Sequence, residues 1–166
     1  LIAEELSLTA MECDEIETAA PMHDIGKIGI PDRIMLKPGR HTPEEQTIMR
    51  RHPLIGHGIL TDSPSRYLQM GAVIALGHHE KFDGSGYPQG LAGADIPLPA
   101  RIVAVADVFD ALTSNRPYKR AWTFQDALHY IQSESGRHFD PACVRAFEQR
   151  LDAVATIMRE LSDTQA

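Results

Sequence analysis

Residues 101–112 read Arg-Ile-Val-Ala-Val-Ala-Asp-Val-Phe-Asp-Ala-Leu, and this almost continuously apolar stretch decides between a helical and a mixed fold. Its valines would also suit a buried strand, because β-branched residues favour strands. However, the stretch is long and rich in alanine, and a helix would place Asp107 and Asp110 on one face, since they are three residues apart. The sequence therefore predicts a central helix that is apolar almost all round.

The segments on either side of this stretch are also typical of helices, joined by loops that proline and glycine mark. Thr9 and Glu12 form a Thr-x-x-Glu capping box that opens one helix. Residues 67–80 are strongly apolar and predict another, which ends in a pair of histidines. No alternating strand pattern is convincing, so we predict one all-α domain over residues 1–161, followed by a polar tail over residues 162–166.

Proline and glycine set three further boundaries. Residues 28–42 and 83–99 hold many of these residues, which predicts loops with little regular structure. Thr42 and Pro43 start a helix between those loops, because threonine caps helices and proline suits their first position. The Asp140-Pro141 pair caps the last helix, which we expect to continue to about Leu161.

The composition is that of an ordinary soluble domain. The chain has 166 residues, of which 43% are hydrophobic and 23% charged, enough for one domain with a real apolar core. It shows no apolar run near the length of a membrane span and no basic-then-apolar leader, so we expect a cytoplasmic protein. With 16 basic against 23 acidic residues and no basic stripe, binding to duplex nucleic acid is not expected.

Two doublets of metal-ligand residues lie far apart in the sequence. His23-Asp24 is followed by Lys27, and His78-His79 closes an apolar helix. Imidazole nitrogen and carboxylate oxygen suit divalent ions such as manganese, iron, cobalt or zinc, and one carboxylate can bridge two ions. Neighbouring residues on a helix differ in direction by about 100°, so the two histidines of a doublet serve two ions or two walls of one cleft.

Two further residues join these doublets. Asp107 lies among apolar residues, and a buried carboxylate requires a partner. A metal ion is the natural partner, and a structural arginine is the alternative. His52 precedes Pro53, and a helix end bent by proline can direct a side chain into a cleft. Asp83-Gly84 is interpreted as a turn, although Asp83 as a ligand is the alternative.

In this order, the motifs resemble the HD-GYP family, a branch of the HD-domain metal-dependent phosphohydrolases. The resemblance extends over roughly residues 8–150, and it rests on His23-Asp24-x-x-Lys27, His52, His78-His79-Glu80, Asp83-Gly84-x-Gly86-Tyr87-Pro88 and Asp107-x-x-Asp110-Ala111-Leu112-Thr113. It implies an HD-domain helical bundle with additional helices and a long irregular loop at Gly-Tyr-Pro. It also implies hydrolysis of cyclic di-GMP to the linear dinucleotide pGpG, and onward to GMP, in bacterial second-messenger signalling.

The resemblance further implies a centre of two or three divalent metal ions, iron or manganese. Six residues match the family's ligands, with Asp24 as the bridging carboxylate: His23, Asp24, His52, His78, His79 and Asp107. Others match positions near the phosphates: Lys27, Asp110, Arg116 and Lys119. Asp24, Lys27 and Asp110 are therefore the candidate catalytic residues. Gly86, Tyr87 and Pro88 match the signature loop, which is linked to substrate binding or to docking of a protein partner.

Members of the family place a further histidine, often with a glutamate four residues before it, on the helix that precedes the His-Asp motif. That helix would lie upstream of Leu1, and the number of metal ions depends on it. An upstream regulatory domain such as a receiver is expected, and a homodimer is a further hypothesis. Two alternatives to a cyclic di-GMP phosphodiesterase stay open: a signalling module that binds without turnover, and an HD phosphohydrolase for another cyclic dinucleotide.

Overall fold

The computed structural model describes residues 1–115 and 120–163, with side chains up to residue 160. Over these residues the chain is helical and contains no β-strand, which confirms the predicted all-α class. None of the described helices has the length and apolar character needed to cross a lipid bilayer. The α-helices are α1 (Ile2–Glu5), α2 (Ala10–Ala19), α3 (Asp32–Met35), α4 (Pro43–Met49), α5 (His52–Leu60), α6 (Arg66–Gly77), α7 (Leu98–Thr113), α8 (Phe124–Ser133), α9 (Pro141–Glu148) and α10 (Leu151–Asp163).

The apolar stretch that opened the sequence analysis forms most of α7, which begins three residues earlier than predicted, at Leu98. Val105 is fully buried, and Phe109 packs edge-on against Phe147 of α9 with ring centroids 4.9 Å apart. Burying each such side chain contributes about 1.5–3 kcal/mol. Helices α6, α8 and α9 all pack on α7, so this helix is the centre of the core.

The predicted caps are present. Thr9 accepts a hydrogen bond from the backbone N–H of Glu12, and the Glu12 carboxylate accepts one from the N–H of Thr9, which closes the capping box of α2. Thr42 and Glu45 repeat this arrangement at α4. At α9, Asp140 accepts from the N–H of Ala142 at 2.7 Å. These local hydrogen bonds satisfy N–H groups that a helix start leaves without partners.

Several predicted boundaries are wrong. The last predicted helix is two helices, because α9 ends at Glu148 and α10 begins at Leu151. At the break, Arg150 forms ion pairs with Glu4 at 2.5 Å and with Glu5 at 3.2 Å, which tie this point to α1. The break lets the apolar face of α10 turn back onto the core.

The second error concerns residues 28–42, which contain helix α3 although a loop was predicted. Ile34 is buried there and anchors the short helix to the domain. Helix α6 also ends earlier than predicted, at Gly77, so the histidine pair follows the helix rather than forming its last turn.

A close backbone approach brings the His-Asp segment against α5. Residues 20–22 and 25–29 form short 3₁₀ segments on either side of the doublet. A Cβ atom at Gly26 would lie 1.9 Å from the carbonyl oxygen of His52 and 2.4 Å from the backbone nitrogen of Gly56. Only glycine fits this contact, and the contact places the start of α5 beside the doublet.

Candidate metal centre

Four parts of the fold meet at one cleft: the 3₁₀ segments around the doublet, the start of α5, the end of α6 and the middle of α7. Each part contributes predicted metal ligands, and each of these six residues contacts at least one of the others. We call this set the ligand cluster: His23, Asp24, His52, His78, His79 and Asp107. Donor atoms from four of its members lie within 4.8 Å of one another: Asp24, His52, His78 and His79.

Asp24 divides its two carboxylate oxygens between two groups of partners. Oδ1 lies 3.3 Å from Nε2 of His52 and 3.7 Å from Nε2 of His78. Oδ2 lies 3.5 Å from Nε2 of His23, whose same nitrogen is 3.3 Å from the Asp107 carboxylate. The cluster therefore has two halves that share one carboxylate.

Backbone carbonyls orient three of the four imidazoles. Nδ1 of His23 donates to the carbonyl of Ala20 at 2.8 Å, and Nδ1 of His52 donates to Met49 at 2.8 Å. His78 repeats the pattern, with its Nδ1 2.9 Å from the carbonyl oxygen of Ala75. Each acceptor lies three residues before its histidine. Metal-binding histidines are typically held in this way, because a bond at one nitrogen fixes the ring and directs the other nitrogen at the ion.

We call the half of the cluster around Oδ1 of Asp24 the inner half, and the half around Oδ2 the outer half. In the inner half, several acceptor atoms face one another without a cation between them. The Nε2 atoms of His52 and His78 lie 3.3 Å apart in a buried position, and both face Oδ1 of Asp24. When Nδ1 of each neutral ring carries the proton, both Nε2 atoms are acceptors. A cation among these three atoms would satisfy them all. The donor set therefore fits a divalent metal ion.

The pKa shifts describe the cluster without a metal ion, in which a protonated His23 takes the place of a cation and would lose its proton on binding one. The carboxylates of Asp107 and then Asp24 accept from Nε2 of His23 and raise the pKa of His23 to about 10. Burial acts to raise the pKa of Asp24, but the contacts of its carboxylate with His23, His78 and Lys27 outweigh this effect and hold that pKa below its ordinary value. Burial also lowers the pKa of His79 to about 3, so this imidazole is neutral at physiological pH and can donate its lone pair.

The residues predicted near the phosphates are placed in different ways. Lys27 contacts Oδ2 of Asp24 directly, at the outer half of the cluster. Asp110 lies one turn after Asp107 on α7, where it is exposed and accepts a hydrogen bond from the Ser114 hydroxyl at 3.2 Å. Asp107 is half-buried rather than buried as predicted, and its partner is His23 rather than an arginine. Arg116 and Lys119 lie outside the described residues.

The loop over residues 81–93, here called the Tyr87 loop, covers one side of the cluster. The Tyr87 ring stacks on the His79 ring, with centroids 4.8 Å apart and planes 22° apart. The backbone N–H of Tyr87 donates to the carbonyl of His79 at 3.2 Å. A Cβ atom at Gly86 would lie 2.3 Å from the nitrogen of Lys81, so the loop folds back on its own start.

No role was predicted for Glu80, which the fold makes a functional candidate. Its side chain is buried, and its carboxylate accepts hydrogen bonds from the N–H groups of Gln89 at 2.7 Å and Leu91 at 3.1 Å. The carboxylate thus holds the far side of the Tyr87 loop and is not directed at the cluster. Only the fold shows that it supports the loop.

Together, the helical fold and the two-part cluster define a class: an all-α domain that brings histidine and aspartate side chains together to bind divalent metal ions. A comparison with protein-family models matches the HD domain over residues 1–143. The chain belongs to this HD domain family, in its HD-GYP branch, as the resemblance of the motifs implied.

Several curated proteins are similar in sequence. The cyclic di-GMP phosphodiesterase response regulator RpfG of Xanthomonas campestris is 60% identical over 88% of this chain and 39% of its own length. A cyclic di-GMP phosphodiesterase of Thermotoga maritima is 51% identical over 98% of this chain and 44% of its own. A 3′3′-cGAMP-specific phosphodiesterase of Vibrio cholerae is 43% identical over 98% and 31%. The chain spans less than half the length of each of these relatives.

One solved structure supports the fold. The crystal structure of a cyclic GMP-AMP-specific phosphodiesterase of Vibrio cholerae aligns with a TM-score of 0.66. The alignment covers 91% of this chain and 41% of that one, at 21% sequence identity. At that identity the likeness concerns the fold, which it confirms as the all-α HD domain.

Proposed function

We propose that this chain is the catalytic domain of a metal-dependent phosphodiesterase that hydrolyses cyclic di-GMP to pGpG. One observation carries the proposal: Asp24 presents its two oxygens to two separate groups of nitrogen and oxygen donors. Such a bridging position suits a pair of ions, and paired ions are a recurring device of phosphoester hydrolysis. The two relatives of highest identity reported above are named cyclic di-GMP phosphodiesterases, which supports this substrate.

The proposed centre holds two or three ions of iron or manganese. His52, His78 and His79 would hold one ion with Oδ1 of Asp24. His23 and Asp107 would hold the second with Oδ2. Divalent ions bound there would activate water for attack and offset the negative charge of the phosphate. The mixture of imidazole and carboxylate ligands suits iron and manganese.

The chain's own residues supply the remaining steps. In the hydrolysis, the water oxygen forms a bond to phosphorus, the bond from phosphorus to the 3′ oxygen breaks, and that oxygen takes up a proton. Lys27 is held at the cluster by Asp24, so its ammonium group is placed to donate a proton or to contact a phosphate oxygen. Asp110 is the second candidate for the proton transfer, since it faces solvent one turn beyond Asp107.

Substrate binding is assigned to the loop residues and to cations near the phosphates. Gly86, Tyr87 and Pro88 form the wall beside His79, and the Tyr87 ring offers an aromatic surface close to the cluster. Arg116 and Lys119 keep the phosphate-binding roles that the resemblance implies. Cleavage onward to GMP and docking of a protein partner through the Tyr87 loop are further parts of the proposal.

The larger context is proposed from the relatives. RpfG is named a response regulator and extends well beyond the matched region, which supports an upstream receiver-type domain in the full protein. A cytoplasmic location belongs to the same proposal, because the proposed substrate is an intracellular second messenger. The homodimer stays a prediction.

A second candidate function is hydrolysis of 3′3′-cGAMP, which the names of other relatives favour. Three similar Vibrio cholerae proteins, at 43%, 37% and 39% identity, are named 3′3′-cGAMP-specific phosphodiesterases. Because one guanine is exchanged for adenine between the two substrates, the same metal chemistry would serve both. Substrate choice is therefore the part of the proposal that most requires measurement.

The test is a product assay on protein purified without oxygen and loaded with iron or manganese. We expect conversion of cyclic di-GMP to pGpG that stops when a chelator removes the metal, and slower conversion of 3′3′-cGAMP. Faster conversion of 3′3′-cGAMP would assign the second function. Binding of cyclic di-GMP without turnover in the metal-loaded protein would overturn the enzyme proposal in favour of a binding module.

A further inference from the structure

Arg50 stands beside the proposed site without any role assigned to it. It directly follows helix α4, two residues before His52. Its guanidinium carbon lies 5.0 Å from the centroid of the Tyr87 ring, and the same ring stacks on His79 of the ligand cluster. One aromatic ring therefore connects an exposed arginine with a candidate metal ligand.

Arg50, like Arg51 beside it, differs in its charge environment from Lys27 in the cluster and from Arg101 on α7. Lys27 is paired with Asp24, and Arg101 is paired with Asp140 at 2.5 Å. Within the described residues, Arg50 forms no ion pair, although the chain has 23 acidic residues against 16 basic ones. Its positive charge is therefore free to pair with an anion from solution.

The contact with Tyr87 also restricts where the guanidinium lies. A guanidinium over an aromatic face gains about 0.5–1 kcal/mol at an exposed site, and its N–H groups remain available to acceptors. The group is planar and offers parallel N–H donors that match two oxygens of a phosphate. An arginine that is already held in position loses less side-chain freedom when an anion binds.

From these contacts we infer that Arg50 binds a phosphate oxygen of the substrate at the mouth of the metal centre. This inference rests on the proposed phosphodiesterase function and adds a substrate-contacting residue to it. In this arrangement Tyr87 positions the guanidinium as well as forming the wall beside His79. Arg50 comes from the turn between α4 and α5 and Lys27 from the His-Asp segment, so the two cations approach the substrate from different parts of the chain.

Arg51 provides a matched control. It is adjacent to Arg50 and exposed, and its side chain makes no capping hydrogen bond at the start of α5. Arg51→Ala removes the same charge from the neighbouring position, so it measures the effect of net charge alone. Arg50→Lys retains the charge but loses the planar donors and the stacking surface.

The experiment uses the whole metal-loaded chain and compares wild type with Arg50→Ala, Arg50→Lys and Arg51→Ala. The readouts are the metal content, the kcat and KM for cyclic di-GMP, and the dissociation constant for cyclic di-GMP by calorimetry where turnover is absent. We expect Arg50→Ala to weaken binding about tenfold or more, since a hydrogen bond to a charged group is involved, with metal content unchanged. Arg50→Lys should recover part of the loss, and Arg51→Ala should stay within about twofold of wild type.

Each outcome bears on the inference. Equal losses in Arg50→Ala and Arg51→Ala would reduce the effect to net charge and overturn it, as would unchanged binding in Arg50→Ala. Loss of metal in Arg50→Ala would assign a structural role instead. If the wild type binds cyclic di-GMP without turnover and Arg50→Ala weakens that binding, the proposed enzyme activity fails while the role of Arg50 stands. A wild type that neither binds nor cleaves would overturn both.

Discussion

The ligand cluster and the Tyr87 loop lie side by side, but different kinds of contact hold them. In the cluster, side chains meet one another, and backbone carbonyls orient the rings, as Ala20 does for His23. In the loop, backbone groups carry the contacts. The N–H groups of Phe82 and Asp83 donate to carbonyls of the turn before α9, and the N–H of Gly93 donates to the carbonyl of Phe82.

Glu80 joins the two regions. It follows the histidine doublet in sequence, but its carboxylate accepts hydrogen bonds from the loop backbone. Metal binding by the cluster and folding of the Tyr87 loop are therefore separable. Substitutions in the cluster should remove metal and turnover while the loop stays folded. Substitutions that release the loop should impair substrate handling while the metal stays bound.

The largest expected effect comes from Asp24→Ala, which removes the carboxylate shared by both halves of the cluster. Turnover of cyclic di-GMP should fall on the order of 10³-fold, about 4 kcal/mol of transition-state stabilisation, because the ions are neither held nor bridged. Kinetics and metal analysis measure the change. Asp62→Ala, at an exposed position, is the control and should behave like wild type. Wild-type turnover in a folded Asp24→Ala protein would end the proposal.

Gly26→Ala tests the backbone contact on which the cluster depends. The added Cβ would overlap the carbonyl of His52, so the two segments must separate, and we expect the free energy of unfolding to fall by about 3 kcal/mol. Gly58→Ala in α5 meets nothing within 4 Å and should raise it by roughly 0.5–1 kcal/mol. Urea denaturation of metal-free protein compares them. Equal stabilities would show that the tight approach is not required.

Metal removal should separate the two regions in a single measurement. Saturating metal at about 100 times its dissociation constant stabilises a protein by about 2.7 kcal/mol, and chelation should remove this contribution from the wild type. Asp24→Ala should show little response to chelation, whereas Glu80→Gln should respond like wild type. Thermal or urea unfolding with and without chelator gives the result. A lost response in Glu80→Gln would mean that loop and cluster are not separable.

Glu80→Ala is expected to have the smallest of these effects on stability. It removes the charged acceptor of two hydrogen bonds from the N–H groups of Gln89 and Leu91, which costs about 2 kcal/mol, and Glu80→Gln should cost about half as much. Hydrogen exchange at these two amides should accelerate, with metal content unchanged. Glu17→Ala on the exposed face of α2 serves as control. Unchanged exchange at both amides would show that Glu80 does not hold the loop.

Much of the fold followed from local signals. The capping boxes at Thr9 and Thr42 depend on residues three apart, so the sequence alone predicted them correctly. The choice of helix over strand for α7 depended on length and alanine content, and it is confirmed. The break at Arg150 was missed because it depends on ion pairs with Glu4 and Glu5, about 145 residues earlier in the chain.

The site divides in the same way. The available donor atoms follow from the residue types alone, because histidine and aspartate carry the same nitrogens and oxygens in any fold. The helical class follows from the residue pattern as well. Three features depend on how the helices pack: Asp24 turns one oxygen to each half of the cluster, Glu80 supports the loop, and Arg50 reaches Tyr87. These are contacts between residues brought together by packing, and the direction of a side chain across such a contact is set by the helices that meet there.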